Sequence, residues 1–337
     1  MVINSIHLKS FTVFENMEMT FTPGLNIVIG ENGTGKTHLL KILYSICECF
    51  ENNNDGFPVE TAFWPKLMKM FQATDTEIFV RNKLSGITTI DADTDEGKYT
   101  FKIAPIQEQL YSMVKDSGAI WKKVDQTIFI PAKEMMTHSG IEKDYMQRNL
   151  PLDKTLIDIL NKIGVSTVKN LPEDKQNILN KIAGIINGKV VYKHDRYFVK
   201  RQDGSLIDFA IEAEGYKKLG LIYRLIETGY LSSGSTLLWD EPESNLNPML
   251  VPDIVNILLE LSRQGVQIIL ATHDYLLAKY FEVKRTDEDR IKFHSLCKSE
   301  NGVVCESNDN FRDLKKNPII SAYDDLLDEV IRLNLGD

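Results

Sequence analysis

Residues 30–37 read Gly30-Glu31-Asn32-Gly33-Thr34-Gly35-Lys36-Thr37, between an apolar run, Leu25 to Ile29, and a helix-like stretch, His38 to Leu43. This fits G-x-x-x-x-G-K-[ST] at every fixed position, with the strand before and the helix after that the pattern requires. Such a segment commits the chain to a strand–loop–helix unit and so to an α/β fold. Gly30, Gly33 and Gly35 can turn with positive φ, and successive N–H groups then close round phosphate oxygens at a helix N-terminus. Lys36 is placed to neutralise β and γ oxygens, and the Thr37 hydroxyl to ligate Mg²⁺. The alternative, a glycine-rich turn with no ligand, explains neither the fixed positions nor the context.

The 337 residues hold about two domains' worth of chain, or one large α/β domain with insertions. With 43% hydrophobic and 26% charged residues, a sizeable core is within reach. The net charge of −9 argues against a surface that is basic everywhere. Nucleic-acid contact would have to come from Lys189 to Arg201 or Lys115 to Lys123, and a solvated face is the favoured reading of both. No apolar run has the length of a membrane-spanning helix, and Met1 to Ser10 lacks a signal-peptide core, so the expectation is a cytosolic, unanchored chain. Cys47 and Cys49 are expected to face different directions on one helix, Cys297 and Cys305 lack a metal-type pair, and all four read as reduced and structural.

Two alternating runs, Ile3 to Leu8 and Met17 to Phe21, predict strands joined through residues 9–14, and Pro23-Gly24 turns into Leu25 to Ile29. The helix after the loop should reach about Phe50, with Glu51 to Gly56 as a polar link and a second helix carrying Phe63, Leu67, Met70 and Phe71. Strands are predicted at Ile78-Val80, Ile87-Ile90 and Tyr99-Ile103, the last two around an acidic tip from Asp91 to Gly97. Thr127 to Ile130 reads as a buried strand ended by Pro131. From Lys133 to about Gly188 the spacing is helical, with Leu156, Ile159, Leu160 and Ile163, then Ile178, Ile182 and Ile185. A hairpin, Val190 to Tyr192 and Tyr197 to Val199, follows across His194-Asp195-Arg196.

Two downstream stretches complement the loop. Ser235 to Trp239 is an apolar strand ending in Asp240-Glu241-Pro242-Glu243, and a carboxylate at a strand end holds Mg²⁺ in phosphate-loop enzymes, which suits Asp240. Glu241, turned the other way, could orient or deprotonate an attacking water. Val266 to Ala271 is a second buried strand, ending in Thr272-His273-Asp274. At the ligand-binding edge of an open α/β sheet, His273 reads as a γ-phosphate sensor in preference to an ordinary surface histidine.

With Ser244-Asn245-Leu246-Asn247-Pro248 after the acids, these three elements resemble the ATP-binding-cassette (ABC) ATPases. Lys9-Ser10-Phe11, Pro23-Gly24-Leu25-Asn26 and Asp240 to Leu246 resemble more narrowly the soluble branch of RecF, the SMC and Rad50 heads, the overcoming-lysogenization-defect proteins, and the AAA-15/AAA-21 ATPases of bacterial phage defence. The likeness covers both ends of the chain and only loosely residues 51–205.

The resemblance implies a P-loop NTPase fold: an ABC-ATPase-like head with a mixed β-sheet and an inserted helical lobe. It implies an N-terminal lobe at 1–133, the inserted lobe and hairpin at 134–211, and a C-terminal lobe at 212–337. ATP and Mg²⁺ are the implied cofactors, with Gly30, Glu31, Asn32, Gly33, Thr34, Gly35, Lys36 and Thr37 around the phosphates. Thr37 and Asp240 would hold the metal, Glu241 would be the general base, His273 the switch histidine and Ser244 to Asn247 the loop linking two sites. Two heads would sandwich two ATP molecules, each also touching the partner copy's signature loop, for which Ala213-Glu214-Gly215-Tyr216-Lys217-Lys218 is the candidate. This loop departs from the pattern, with Ala213 at the usual serine and Glu214 at the first glycine, and the lost hydroxyl removes one γ-phosphate hydrogen bond. Backbone N–H groups near Gly215 remain available, so the departure bears on ATP-driven dimerisation and turnover more than on ATP binding. The usual Mg²⁺-contacting Gln has no counterpart in Pro131-Ala132-Lys133-Glu134.

The sequence expectation is thus a stand-alone ATPase head, without long heptad arms and with no room after His273 for a nuclease domain. A regulatory ATPase controlling a separately encoded nuclease or toxin in a phage-defence complex is the first reading. A RecF-like DNA-repair ATPase is the second, with the acidic balance against it, and a transporter subunit is the third.

Overall fold

In the computed structural model of the protein, the residues described are 1–51, 59–81, 87–104, 109–115, 126–148 and 150–335. They form β1 (Ile3–Phe11), β2 (Phe14–Thr20), β3 (Leu25–Gly30), α1 (Lys36–Glu51), α2 (Val59–Phe71), β4 (Thr88–Thr94), β5 (Gly97–Ala104), β6 (Gln109–Lys115) and β7 (Thr127–Ile130). Next come α3 (Ile141–Arg148), α4 (Lys154–Ile163), α5 (Glu173–Ile185), β8 (Lys189–Lys193), β9 (Arg196–Lys200), β10 (Leu206–Asp208) and α6 (Glu214–Glu227). The chain continues through β11 (Thr236–Asp240), α7 (Val251–Arg263), β12 (Gln267–Thr272), α8 (Tyr275–Lys284), β13 (Ile291–Ser299), β14 (Gly302–Asn308) and α9 (Pro318–Leu335).

A six-stranded sheet in the order β14-β13-β3-β12-β11-β7 carries the site. Its strands run parallel except β14, antiparallel to β13 at one edge. Parallel strands covered on both faces read as continuous apolar runs, and β3, β11 and β12 are buried at every position. The two-residue period divides them between two cores. Ile27, Ile29, Leu237, Trp239, Ile268 and Leu270 face the side that also holds Ile159, Ile182 and Leu258 of the helices. Val28, Leu238, Ile269 and Phe129 face α1, α2 and a five-stranded antiparallel sheet, β2-β1-β4-β5-β6.

Several local expectations are corrected. The segment expected to join the first two strands is strand apart from a two-residue turn at Thr12 and Val13, and β1 and β2 pair from Ser5↔Thr20 to Phe11↔Phe14. Ile78-Val80 is not a strand: Asp75 accepts the Glu77 N–H at 2.8 Å and starts a 3₁₀ turn, Glu77–Phe79, which drops Phe79 into the core on Phe11, ring centroids 5.6 Å apart. Only Val80 bridges to Phe11. The acidic tip is shorter than expected, because β4 runs to Thr94 with Ile90, Ala92 and Thr94 buried and Asp91 and Asp93 on the other face. A third strand, β10, joins the predicted hairpin β8–β9, whose His194 and Asp195 turn with φ of 52° and 58°. Of the basic stretch at 115–123, the residues after Lys115 lie outside the described residues. In the other, Lys189, Lys193 and Lys200 are exposed, whereas Arg196 pairs with Asp208 and Arg201 with Glu212. The four cysteines are free thiols, and burial pushes those of Cys47 and Cys49 up to about 12. No described helix is long and apolar enough to cross a membrane.

Candidate functional site

β3 delivers the loop and α1 begins on it. Gly30 and Gly35 have φ of +157° and +87°, and a Cβ would lie 2.6 Å from the Leu296 carbonyl at Gly30 and 2.6 Å from the Phe14 ring at Gly35. Both positions therefore demand glycine twice over, for backbone conformation and for space. Gly33 is open to solvent, as are Glu31 and Asn32, while Thr34 is buried and its hydroxyl donates to the Glu31 carbonyl at 2.9 Å. Glu31 also pairs with Lys298 at 3.2 Å.

Lys36 folds back over the loop, and its Nζ donates to the carbonyls of Gly30 at 2.6 Å and Glu31 at 3.0 Å. Desolvation pulls its pKa below the usual lysine value, opposed by the charges of Glu241, Asp240, Glu243 and Glu31. A lysine surrounded by acids and closing a ring of backbone amides is suited to an anion bearing several charges.

β12 lies between β3 and β11, and Thr37, in the first turn of α1, reaches the end of β11. Thr37 Oγ1 donates to Asp240 Oδ2 at 2.8 Å. The other carboxylate oxygen, Oδ1, is buried and has no hydrogen-bond partner among the described residues. Desolvation raises the Asp240 pKa and the Glu241 charge adds to that, whereas the Thr37 hydrogen bond opposes it. A buried carboxylate oxygen left unpaired is costly, and a divalent cation would satisfy it. One hydroxyl and one carboxylate, with substrate phosphates and waters for the rest, is the ligand set Mg²⁺ takes. The residues present therefore fit Mg²⁺ held by Thr37 and Asp240. No group of three or more His, Cys, Asp or Glu able to hold a metal occurs among the described residues.

After Asp240 the strand ends sharply, because Glu241 adopts φ 47° while its N–H donates to the Ala271 carbonyl at 2.9 Å. A non-glycine residue in the left-handed region stores strain. The result aims the Glu241 carboxylate at His273, with Oε1 3.3 Å from Nδ1. β12 supplies His273 directly, since Thr272 pairs with Ile29 one residue before the loop. His273 lines one cleft with Gly30, Glu31 and Asn32.

The loop, Asp240, Glu241 and His273 thus come together; Gly215 does not join them. It lies in the first turn of α6, where an added Cβ would meet Leu250 at 2.8 Å and Leu246 at 3.0 Å. Ala213 precedes it without a capping side chain, and Glu214 pairs with Lys217 at 2.7 Å.

Two groups with no role assigned from sequence belong to this constellation. Lys218 of α6 is buried and donates to the carbonyls of Glu241 at 3.1 Å and Pro242 at 3.0 Å and to Ser244 Oγ at 2.8 Å, tying the signature-like helix to the turn after β11. Burial lowers its pKa to about 8. Glu243 accepts from Thr272 and His273. Its place in Asp-Glu-Pro-Glu was the only sequence signal for it, and Lys218 stood in the sequence only as the last residue of the candidate signature loop.

A strand–loop–helix unit, a strand-end acid on its threonine and a histidine at the next strand are arranged in a P-loop fold of the ABC-ATPase type. Structures of similar fold agree. The SMC head domain from Thermotoga maritima matches with a TM-score of 0.51 at 13% identity, over 91% of this chain and 98% of that one. An Smc head bound to the C-terminal domain of ScpA, derived from Pyrococcus furiosus, matches with a TM-score of 0.55 at 11% identity, over 98% and 99%.

A family model described as "AAA domain" matches residues 5–189, more than half of the chain, and the chain belongs to that family. A second model, described as "AAA domain, putative AbiEii toxin, Type IV TA system", matches residues 132–279. Among curated proteins, the DNA replication and repair protein RecF of Desulfitobacterium hafniense is 50% identical over 44 residues, 13% of this chain and 12% of that protein. RecF of Listeria monocytogenes is 37% identical over 57 residues, 16% and 15% of the two chains. The matched stretches thus span less than a sixth of these relatives' length. The chain thus belongs to the AAA-domain family, is similar to RecF over a short stretch, and has the fold of the SMC heads.

Proposed function

We propose that this chain binds ATP with Mg²⁺ and hydrolyses it to ADP and phosphate. The observation that carries this is the Thr37–Asp240 contact, with an unpaired buried oxygen on Asp240 and Lys36 among the acids beside it.

When bound, Mg²⁺ would supply neutralisation of the phosphate charge. Thr37 and Asp240 would hold it, and the N–H groups of residues 31–37 with Lys36 orient the phosphates. Glu241 takes the proton of the attacking water, and His273 donates to the γ-phosphate as charge moves to it. Measured phosphate release that survives Lys36→Ala would overturn this reading.

The proposed organisation is an N-terminal lobe at 1–133, an inserted lobe at 134–211 and a C-terminal lobe at 212–337, in a cytosolic homo-oligomer whose Gly215 segment completes the site of a second copy. Ala213 and Glu214 make that closure weaker than a Ser-Gly pair would, so turnover is slow or needs a partner.

The biological reading is a regulatory ATPase of a multi-component anti-phage defence complex, controlling a separate nuclease or toxin. Its support is the toxin–antitoxin family model over residues 132–279. The RecF-like alternative, a DNA-repair ATPase, is favoured by the 44 residues at 50% identity. Pull-down with Glu241→Gln, which traps the ATP state, separates them: a co-purifying effector supports the first, and salt-dependent DNA retention without a protein partner supports the second.

A further inference from the structure

β11 ends in Asp240 and is followed by Glu241 and Glu243, and the mechanism above uses only the first two of these three acids. The third, Glu243, is buried, its side chain 8% exposed. Its Oε1 accepts the Thr272 hydroxyl at 2.6 Å and the His273 N–H at 3.1 Å, and lies 3.8 Å from His273 Nδ1. Its Oε2 is also buried and has no hydrogen-bond partner among the described residues. Thr272 Oγ1 in turn accepts the Asp274 N–H at 2.9 Å, and Asp274 caps α8 by accepting the Leu277 N–H at 2.6 Å. A continuous chain of hydrogen bonds therefore runs from the turn after β11 through Thr272 and Asp274 to the first turn of α8, with the His273 N–H joined to it at Glu243.

The imidazole itself is half-exposed, and its Nδ1 faces two carboxylates: Glu241 at 3.3 Å and Glu243 at 3.8 Å. Once Glu241 has taken a proton from water it is a neutral carboxylic acid and a poorer acceptor for Nδ1–H. The more buried acid, already fixed by Thr272 and the His273 backbone, is the one able to stay.

We propose that Glu243 is a positioning residue for His273: it fixes the histidine backbone, keeps the proton on Nδ1, and is the acceptor to which Nδ1–H turns when Glu241 engages water. Nε2, at the far edge of the ring, is then left for the cleft shared with Gly30, Glu31 and Asn32. The histidine tautomer is set by the partner of the other ring nitrogen, and Glu243 is that partner. The inference rests on the ATPase reading, since only there does His273 have a γ-phosphate to meet.

The test uses the full chain carrying Glu241→Ala, so that Glu243 is the acid left facing Nδ1, labelled with ¹⁵N-histidine, without nucleotide, the His273 signal being the one lost in His273→Asn. Glu241→Ala alone, and Glu241→Ala with Glu243→Gln, whose amide oxygen still accepts, are expected to show Nδ1-protonated His273. Glu241→Ala with Glu243→Ala is expected to shift it toward the Nε2-protonated form. An unchanged tautomer in that double variant overturns the proposal. In steady-state assays, Glu243→Ala should lower kcat by about 10–100-fold with KM within about threefold, and Glu243→Gln should recover most of the loss. Added to His273→Ala, it should cost nothing further; a second full loss overturns the proposal. If Glu243→Ala does not fold, Glu243→Asp, too short to reach Thr272, takes its place with the same expectations. A wild-type chain without ATPase activity defeats the proposed function, while the tautomer measurement still decides this inference.

Discussion

Thr37 Oγ1 and Asp240 Oδ2 lie 2.8 Å apart across 203 residues of chain. That single hydrogen bond joins the N-terminus of α1 to the end of β11, and it leaves one buried carboxylate oxygen, Asp240 Oδ1, free for a cation. The proposed chemistry turns on this junction, and the following outcomes test its parts.

Lys36→Ala removes the cation that closes the loop. Two charge-assisted hydrogen bonds to phosphate at about 1.5 kcal/mol or more each correspond to a fall of roughly 100-fold or more in ATP affinity. Titration with a fluorescent ATP analogue checks this, and undiminished affinity would remove Lys36 from the site.

Glu241→Gln keeps the shape of the turn and deletes the base. ATP affinity should stay within about threefold of wild type while kcat falls by about 10²–10⁴-fold. Single-turnover phosphate release reads the difference, and a fully active variant would move the base elsewhere.

Lys218→Met strands three acceptors that Lys218 now satisfies, the carbonyls of Glu241 and Pro242 and the hydroxyl of Ser244. Each buried group left unpaired costs about 1–3 kcal/mol, so urea denaturation should report a loss of at least about 2 kcal/mol. A neutral result would mean that α6 does not brace the turn.

His294 gives the fold an acid limit. It is buried in β13, with Nδ1 2.8 Å from Ser307 Oγ, and burial lowers its pKa from 6.5 to about 3. The unfolded chain therefore takes up the proton first as pH falls. Stability from this group is full above about 6.5 and is lost progressively toward about 3. Between pH 7 and pH 5 wild type should lose about 2 kcal/mol more than His294→Asn, measured by urea denaturation. Equal losses would mean that His294 is not held neutral.

Patterns that are local in the chain were legible without coordinates. The phosphate loop, the apolar strands ending at Ile29, Asp240 and Thr272, and the helix spacing of Ile159, Leu160 and Ile163 all survive folding because parallel strands and amphipathic helices print their burial directly into sequence. Ile78 misled because its alternation with Val80 competes with Asp75, whose side chain caps a turn instead. The tip after Asp91 was misplaced because acids alternate on the outer face of β4 as freely as they crowd a turn.

The sequence by itself determined that a glycine-rich strand–loop–helix unit exists, which strands end in acids and which in a histidine, because those are properties of short segments. Only the tertiary structure decided how they meet: that β12 lies between β3 and β11, that Glu241 turns through a left-handed conformation toward His273, and that Lys218 and Glu243 brace the turn between them. Strand order and side-chain pairing depend on contacts between residues far apart in the chain, and no local propensity encodes them.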